Sequence, residues 1–407
     1  MEKKRRRGGC LVRLLTCVLL VFILLAACLV LIAYGDEISC FRQVKEYFFG
    51  PEIEFQETEG VAEELEKNLF YYDQLAEDDQ VIYEEIFAGV SEFNDEIYVH
   101  STSPDDCNQI LKEVLLDHPE LFWCDGTVST SAYTSKKEYS IVSPAYNCSK
   151  DEWKKRKAQV ENTAATWISG LQDGAGDYEK ILFIYETIVE NVDYDLDASD
   201  NQNIYSVFVG RKSVCAGYAK AFSYLADKLG IECIYVTGNT DDGSAHAWNL
   251  VKCDGNYYQL DVTWGDPIFL EETSHSIDDN ISYDYMLCSD EQIGSTHTLQ
   301  EGYAYPSCTH MDNNYYVRNG MYYESYDPGE ALDAMNQSVT DKENQIVLKY
   351  ATKEAYKKAL DDILNRQLKN VLDRLGRLYG LTRVRYSYVD DDAMNKLTFY
   401  WNYTIVQ

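Results

Sequence analysis

The sequence predicts an α+β protein built around a helix that begins with a cysteine and packs against an antiparallel sheet. One observation behind this prediction is a helical repeat of apolar residues. Its members are Cys215, Ala219, Phe222, Ala226 and Leu229. The other observation is a group of β-rich runs after this helix, one carrying a histidine and another an aspartate. A mixed α+β region before this core and a small α+β module after it complete the predicted architecture.

The cysteine helix has recognisable ends. Ser213 is the predicted N-cap, and Gly230 is a natural stop just beyond the last apolar residue. Cys215 would then lie in the first turn, beside unpaired backbone N–H groups and the positive end of the helix dipole. Both favour the thiolate, which is the nucleophilic form of cysteine. The competing interpretation is a small buried core cysteine, which this helix alone does not exclude.

Three β-rich runs follow the helix, and a turn joins the last two. The runs are Ile231–Gly238, Ala245–Cys253 and Tyr257–Trp264. Asp254-Gly255 is a strong signal for a two-residue hairpin turn. Such a turn pairs Cys253 with Asn256, and this pair fixes the register of the whole hairpin.

The hairpin register brings a histidine and an aspartate together. It sets Trp248 opposite Asp261, and His246 opposite Thr263. His246 and Asp261 are then diagonal neighbours on one face. A carboxylate in that position orients the imidazole, and an oriented histidine is the base that a cysteine nucleophile needs. A lone histidine on a strand is more often structural, but with Cys215 the two residues predict a nucleophilic site.

Six short stretches in and around these elements resemble a known family. They are Val214-Cys-Ala-Gly-Tyr218, Leu229-Gly-Ile231, His246-Ala-Trp-Asn249, Asp254-Gly255, Tyr258-Gln-Leu-Asp-Val-Thr-Trp264 and Asp266-Pro267. Together they resemble the transglutaminase-like superfamily and, more narrowly, its bacterial cell-surface members. The resemblance is dense between residues 177 and 267. It implies a papain-like fold and a Cys-His-Asp triad, which maps onto Cys215, His246 and Asp261.

The resemblance also suggests residues around the triad. In the superfamily a residue upstream of the cysteine helps to stabilise the oxyanion, and Tyr194 is the candidate here. The competing interpretation of Tyr194 is a packed aromatic residue. Trp248 and Trp264 are candidates for contact with substrate. The superfamily includes acyl transferases, peptidases, other amidases and inactive members, so the resemblance does not fix the reaction.

The N-terminus has the pattern of a membrane anchor. A basic block at Lys3–Arg7 precedes Leu14–Ala33, which contains no charged residue and is long enough to span a bilayer. The positive-inside rule predicts a single-pass helix in the cell membrane, with a cytoplasmic N-terminus and the catalytic domain extracellular. Leu25–Cys28 resembles a lipoprotein cleavage box. That alternative is less favoured, because the chain stays apolar after Cys28.

Composition restricts the partners and cofactors. The formal net charge is −32, although the N-terminal block is basic. An acidic outer region argues against nucleic acid as a partner, since phosphate binding needs basic patches. His/Cys clusters with zinc spacing and EF-hand loops are absent from the sequence, so neither a metal nor a cofactor is expected. Among the exported cysteines, Cys288 and Cys308 are the most attractive disulfide pair, because their segment is loop-rich.

The remaining elements divide the chain into four predicted parts. These are an N-terminus and anchor (1–35), an α+β region (36–148), the catalytic domain (149–310) and a C-terminal α+β module (311–407). Ser149–Glu152 is a capping box that opens a helix near the start of the catalytic domain. In the C-terminal module we expect a hairpin around Asn319-Gly320, a helix over Lys353–Leu375 and several strands.

These observations predict a membrane-anchored extracellular cysteine enzyme that acts on amide bonds of proteins or peptides. Cell-wall peptide is among the candidate substrates. Hydrolysis is favoured over cross-linking, because the sequence displays no apparatus for a second substrate. The alternative is a non-catalytic adaptor that binds peptide or glycan. An arylamine acetyltransferase also uses Cys-His-Asp, but an enzyme outside the cell lacks acetyl-CoA.

Overall fold

The computed structural model describes residues 53–58, 61, 69–135, 137–266 and 281–403, together with positions 15, 18, 19, 21 and 22. The chain forms two compact units. The first comprises Met1–Leu115 and Cys124–Tyr146, and the second comprises Leu116–Trp123 and Asn147–Gln407. The candidate cysteine, histidine and aspartate all belong to the second unit. The boundaries expected near 148 and 310 stay predictions.

The first unit combines helices with a three-stranded antiparallel sheet. Its elements are a 3-10 turn (Tyr72–Gln74), α1 (Glu77–Ser91), β1 (Ile97–Val99), α2 (Pro104–Asp117, which runs into the second unit), β2 (Cys124–Thr134) and β3 (Glu138–Tyr146). The strand order is β1-β3-β2. Ser103 Oγ accepts the Asp106 N–H at 3.3 Å, which caps α2 just ahead of the proline.

The second unit opens with helices that lead to the cysteine. They are a 3-10 turn (Pro119–Leu121), α3 (Lys150–Ile168), α4 (Asp177–Asn191) and α5 (Cys215–Lys228). The capping box predicted at the start of α3 is present. The N–H and hydroxyl of Ser149 donate to Glu152 Oε2 at 3.2 and 2.8 Å. Between α4 and α5 lie the short strands β4 (Asp193–Tyr194) and β5 (Lys212–Ser213), which pair in parallel.

A four-stranded antiparallel sheet carries the histidine. Its strands are β6 (Cys233–Thr240), β7 (Ala245–Cys253), β8 (Asn256–Leu260) and β9 (His297–Leu299), in the order β8-β7-β6-β9. Helix α5 packs against β7 through its buried apolar stripe. Asn249 Nδ2 on β7 donates to Ala219 O at 3.1 Å and to Ser223 Oγ at 2.9 Å, both on α5. The predicted helix-on-sheet core is therefore present.

The C-terminal part of the second unit is a second, mixed sheet covered by helices. Its elements are α6 (Asp290–Ile293), α7 (Tyr315–Arg318), β10 (Tyr322–Tyr323), α8 (Pro328–Asp341), β11 (Gln345–Tyr350), α9 (Lys353–Asp362), α10 (Leu368–Tyr379), β12 (Arg385–Asp391) and β13 (Lys396–Asn402). The strand order is β10-β11-β13-β12. Its apolar core includes Met335, Tyr356, Leu375 and Phe399, all fully buried.

Two predictions for the C-terminal part were wrong in detail. The hairpin around Asn319-Gly320 is absent from the described residues, because Asn314 Oδ1 accepts the Tyr316 N–H at 3.1 Å and starts α7. Strand β10 then pairs in parallel with β11. The single helix predicted over Lys353–Leu375 is interrupted by a π-helical turn at Ile363–Gln367, and helix α8 was not foreseen.

The predicted membrane anchor lies almost wholly outside the described residues. The five positions that are described within Leu14–Ala33 are helical and exposed. In the part of the chain that the structure describes, no helix has both the length and the apolar character needed to cross a membrane.

The predicted Cys288–Cys308 disulfide was wrong. All eight described cysteines carry free thiols. Cys288 Sγ lies 3.6 Å from Gln259 O, and Cys308 Sγ lies 3.9 Å from Pro306 O. Each buried thiol therefore has a backbone carbonyl as a weak partner.

Candidate active site

The structure puts Cys215 at the first residue of α5. The residue before it, Val214, is extended and provides no side-chain cap. Ser213 was predicted to be the N-cap, but its hydroxyl is engaged elsewhere: it donates to Asn201 O at 2.9 Å and lies 2.7 Å from Ser206 Oγ. The first turn of α5 thus keeps its backbone N–H groups free of a capping side chain.

A glycine makes this first turn possible. A Cβ at Gly217 would lie 1.9 Å from Ser213 Oγ and 3.0 Å from Asn201 O. The backbone before the cysteine therefore approaches α5 more closely than any side chain allows. At the other end, Gly230 has a φ of +71° and stops the helix, as the sequence predicted.

His246 lies on β7 and is buried next to Asp261. Its Nε2 donates to Asp261 Oδ2 at 2.8 Å, which leaves Nδ1 for the Cys215 thiol. Burial alone would lower the pKa of His246, but the charge and hydrogen bond of Asp261, aided by Cys215, raise it to about 10. The imidazole is therefore protonated at neutral pH.

Asp261 follows β8 and is completely buried. Its Oδ1 accepts the backbone N–H groups of Thr263 at 2.9 Å and Trp264 at 3.4 Å. Burial by itself would raise the pKa of Asp261. The adjacent His246 and His297 outweigh burial and hold that pKa well below its usual range. The carboxylate is charged and cannot rotate without losing several hydrogen bonds.

The register predicted for the hairpin is confirmed, but the strand ends early. Cys253 pairs with Asn256, and the ladder runs as far as Asn249 and Leu260. The expected pairs beyond Leu260 do not form, because the side chain of Asp261 bonds the Thr263 N–H and turns the chain into a 3-10 helix, Thr263–Gly265. The Asp261 N–H donates instead to Tyr285 O at 3.0 Å.

A second histidine, which was not predicted, contacts the same carboxylate. His297 Nε2 donates to Asp261 Oδ2 at 3.1 Å, and its Nδ1 lies 2.8 Å from Thr296 Oγ1. His297 is on β9, at the far edge of the sheet. Its short strand has no distinctive alternation. The only available signal was a histidine flanked by two threonines in a chain with six histidines.

Among the residues that the structure describes, His246, Asp261 and His297 form the group that could hold a metal ion. One ligand atom from each of His246, Asp261 and His297 lies within 4.8 Å of the others. The direct hydrogen bonds of 2.8 and 3.1 Å occupy the same atoms, however.

The other candidate residues surround this group at different depths. Tyr194 is on β4, where its backbone pairs with Ser213, two residues before the cysteine. Trp248 is almost fully buried, and its Nε1 donates to Gln259 Oε1 at 2.7 Å. Trp264 is partly exposed, with its ring centroid 6.0 Å from that of His246. The roles of all three in oxyanion or substrate binding stay predictions.

Comparison with known families agrees with this architecture. Residues 163–262 match the model of the transglutaminase-like superfamily. The matched segment contains Cys215, His246 and Asp261, and it is similar to that superfamily.

Two curated proteins are similar to part of the chain. The kyphoscoliosis peptidase of Mus musculus is 28% identical over 120 residues, which is 26% of this chain and 18% of that protein. The kyphoscoliosis peptidase of Homo sapiens is 28% identical over 111 residues, which is 23% of this chain and 17% of that protein. The chain thus spans less than a fifth of the length of these relatives.

Two solved structures are also similar. One is a TGase, 14% identical, with a TM-score of 0.25, covering 41% of this chain and 50% of its own. The other is a candidate cysteine protease from Cytophaga hutchinsonii, 13% identical, with a TM-score of 0.25, covering 46% and 81%. Scores this low carry no argument about this chain.

Proposed function

We propose that this protein is a cysteine enzyme that cleaves amide bonds in proteins or peptides. The observation that carries the proposal is the position of one imidazole. His246 is held by Asp261 through Nε2, so that its Nδ1 is left for the thiol of Cys215. A nucleophile, a base and a group that orients the base are the three parts that covalent acyl chemistry requires.

In the acylation step, Cys215 acts as the nucleophile, a backbone N–H stabilises the oxyanion and His246 acts as the acid. Cys215 Sγ attacks the carbonyl carbon of the amide, and an S–C bond forms as the C=O bond becomes a C–O⁻ bond. The backbone N–H of Cys215, in the uncapped first turn of α5, is a donor for this oxyanion. His246 then gives its Nδ1 proton to the nitrogen of the leaving amine. The C–N bond breaks, the amine departs, and a thioester remains.

The second step requires His246 to act as a base. While Cys215 is free, its charge and hydrogen bond help to keep the imidazole protonated. Acylation removes that charge, so the pKa of His246 falls in the thioester. The neutral imidazole can then take a proton from water, which attacks the thioester carbon and releases the acid. The same histidine thus serves as acid and then as base.

We favour hydrolysis over transfer to an amine. The partial relatives are named as peptidases, which supports the hydrolytic alternative. An amine nucleophile would use the same three residues, so only the acceptor distinguishes the two reactions. We further propose that Leu14–Ala33 anchors the protein in the cell membrane with Cys215 outside. Extracellular protein or cell-wall peptide is then the natural substrate class.

Thiol labelling and product analysis test this proposal. We expect limiting iodoacetamide to modify Cys215 faster than any other cysteine of the full-length protein. Cys148 is a matched comparison, because it is also partly exposed but its pKa is raised by burial. Cys148→Ser should retain turnover, and Cys215→Ser should abolish it.

Mass spectrometry of a peptide library, incubated with and without a primary amine, separates the two reactions. Hydrolysis adds one water across the cleaved bond, with OH on the acyl half and H on the amine half, whereas transfer attaches the added amine to the acyl half. Slow labelling of Cys215, together with peptide binding but no product, would instead establish the non-catalytic adaptor.

A further inference from the structure

We propose that His297 is a positioning residue that locks the Asp261 carboxylate in the orientation His246 requires. This inference rests on the proposed function, since it assigns His297 to the same active site. It adds a fourth residue to the Cys-His-Asp group, acting on the triad only through the aspartate.

The carboxylate of Asp261 is held at both oxygens. The backbone donors of Thr263 and Trp264 bind Oδ1, and the two histidines bind Oδ2 at 2.8 and 3.1 Å. Each oxygen has two lone-pair directions, so four donors saturate the group. Because both histidines donate to Oδ2, any rotation about the Cβ–Cγ bond of Asp261 breaks hydrogen bonds. The oxygen that faces His246 is therefore fixed.

His297 is itself rigidly placed on the sheet. Its strand is tied to β6 by a 2.9 Å bond from Gln300 N–H to Thr237 O, and to the following turn by a 2.9 Å bond from Asp241 N–H to Thr296 O. A Cβ at Gly238 would lie 2.0 Å from Thr298 O. The glycine therefore lets β9 approach β6 closely enough to deliver the imidazole to Asp261.

The partners of His297 assign a proton to one ring nitrogen. The Asp261 carboxylate can only accept, so Nε2 must donate. On the other side of the ring, Nδ1 lies 2.8 Å from the Thr296 hydroxyl, which can accept or donate. This pair of bonds sets the ring plane and aims Nε2–H at the carboxylate.

The surroundings of His297 exclude a direct role in substrate binding. Its side chain is fully buried. The rings of Trp248, Trp264 and Tyr285 lie around it, with centroids at 5.0, 4.7 and 5.3 Å. Asp261 is the charged group that it faces, and His246 and Tyr285 are its other titratable neighbours, with ring centroids 5.2 and 5.3 Å away. Its hydrogen bond to the active site is made to Asp261, so we expect His297 to act on the chemistry through that carboxylate.

A pair of substitutions separates this role from simple packing. His297→Gln keeps an N–H donor near the place of Nε2, whereas His297→Leu fills the volume without a donor. We expect His297→Leu to lower kcat about 10- to 100-fold, as is typical when a residue that orients an active-site group is lost, with KM unchanged. His297→Gln should recover most of the rate. Thr298→Ala, at an exposed position of the same strand, should match the wild type.

A second readout does not depend on turnover. The ¹⁵N and ¹H NMR signals of the His246 ring report the hydrogen bond from Nε2 to Asp261. We expect the Nε2 proton of His246 to exchange faster with solvent in His297→Leu than in His297→Gln, at equal melting temperature. Equal rates and equal NMR signals in the Leu and Gln variants would overturn the inference and reduce His297 to a packed core residue.

The remaining outcomes are also decisive. If the wild type neither labels at Cys215 nor turns over peptide, the proposed function fails, and the NMR comparison still decides whether His297 positions Asp261. If Cys215→Ala protein binds Zn²⁺ in calorimetry and His297→Leu abolishes that binding, the three residues form a metal site. That result would overturn the positioning role.

Discussion

At the scale of single residues, Asp261 is the group whose replacement is most informative. Its Oδ1 is committed to backbone N–H donors. An asparagine would keep its carbonyl oxygen there and present an NH₂ group to His246. That group can only donate, so the imidazole would have to accept at Nε2 and carry its proton on Nδ1, facing the thiol.

We therefore predict that Asp261→Asn folds normally but loses about 10⁴-fold in kcat, as in other triads with the wrong histidine tautomer. The thermal melting temperature and the rate of peptide cleavage are the measurements. Asp261→Ala, which removes the orienting oxygen as well, should be equally inactive. A near-normal rate in the Asn variant would mean that another group orients His246.

The titration of His246 provides a second prediction at this scale. The wild-type imidazole should stay protonated until pH approaches about 10. In Cys215→Ala, the midpoint should be lower, because the contribution of the thiol is lost. Ring ¹³C and ¹⁵N chemical shifts followed from pH 5 to 11 measure both values. Identical midpoints would show that Cys215 does not contact the imidazole.

The titration of His246 also makes the free energy of unfolding depend on pH. The folded-state pKa of His246 is raised above the ordinary histidine value of 6.5. Its contribution to the free energy of unfolding is thus complete below about pH 6.5 and is lost as the pH rises towards 10.

At the scale of secondary structure, the pairing of β9 with β6 depends on Gly238. A Cβ there would meet the backbone oxygen of Thr298 and not a flexible side chain. We predict that Gly238→Ala lowers the free energy of unfolding by about 1–3 kcal/mol, the usual cost of forcing extra volume into a packed site. Urea denaturation measures this change. Gly210→Ala is the control, because this glycine is exposed and a Cβ there would meet only Ser206 Cβ at 4.0 Å, so the stability of this variant should be unchanged or slightly raised.

A buried ion cluster ties the segment before α6 to the C-terminal sheet. Asp284 contacts Lys396 on β13, and its Oδ1 lies 3.2 Å from Lys349 Nζ on β11. All three side chains are largely buried. Burial alone would raise the pKa of Asp284, but the two lysines hold that pKa well below its usual range. Burial disfavours the charge of Lys396, yet Asp284 raises its pKa.

We predict that Asp284→Asn costs about 3–5 kcal/mol of unfolding free energy, because Lys349 loses its carboxylate and Lys396 keeps only Asp391, 3.7 Å away. The loss should be constant above about pH 4 and diminish below it, since a carboxyl with a depressed pKa stabilises the fold only while charged. Urea denaturation at several pH values measures both effects. Glu354→Gln, which breaks an exposed pair with Lys358, should change stability little.

At the scale of the whole molecule, the predicted membrane topology determines which class of substrate we propose. The basic block and the uncharged Leu14–Ala33 segment predict an N-terminus inside and Cys215 outside. Protease added to whole cells should digest the region after Phe55 and leave a small membrane-bound fragment with the native N-terminus. A lipid-bearing protein that begins at Cys28 would establish the lipoprotein alternative. Full protection in intact cells, lost on lysis, would contradict both.

Local signals predicted much of the second unit. The helical stripe, the Asp-Gly turn and the capping box at Ser149 each depend on neighbours along the chain, and the structure contains all three. The failures have different causes. The side chain of Asp261 competes with the strand ladder for the Thr263 N–H, and Ser213 bonds to a loop instead of capping α5. Such outcomes depend on partners that only the folded chain brings near.

His297 was missed for a related reason. It reaches Asp261 from an edge strand that is separated from β8 by a long connection and paired with β6 instead. No periodicity within β9 indicates which strand it will join. Long-range pairing of this kind depends on close approach at a site such as Gly238, and a sequence pattern does not encode that distance.

The supports of Asp261 set a limit on how the domain that carries it can be cut or transplanted. The recognised segment ends at residue 262. The donors and acceptors that hold the carboxylate and its backbone continue to Thr263, Tyr285 and His297. Asp284, next to Tyr285, is held in turn by lysines of the C-terminal sheet. A fragment that ends at the family boundary would contain Cys215, His246 and Asp261. It would lack the residues that orient Asp261.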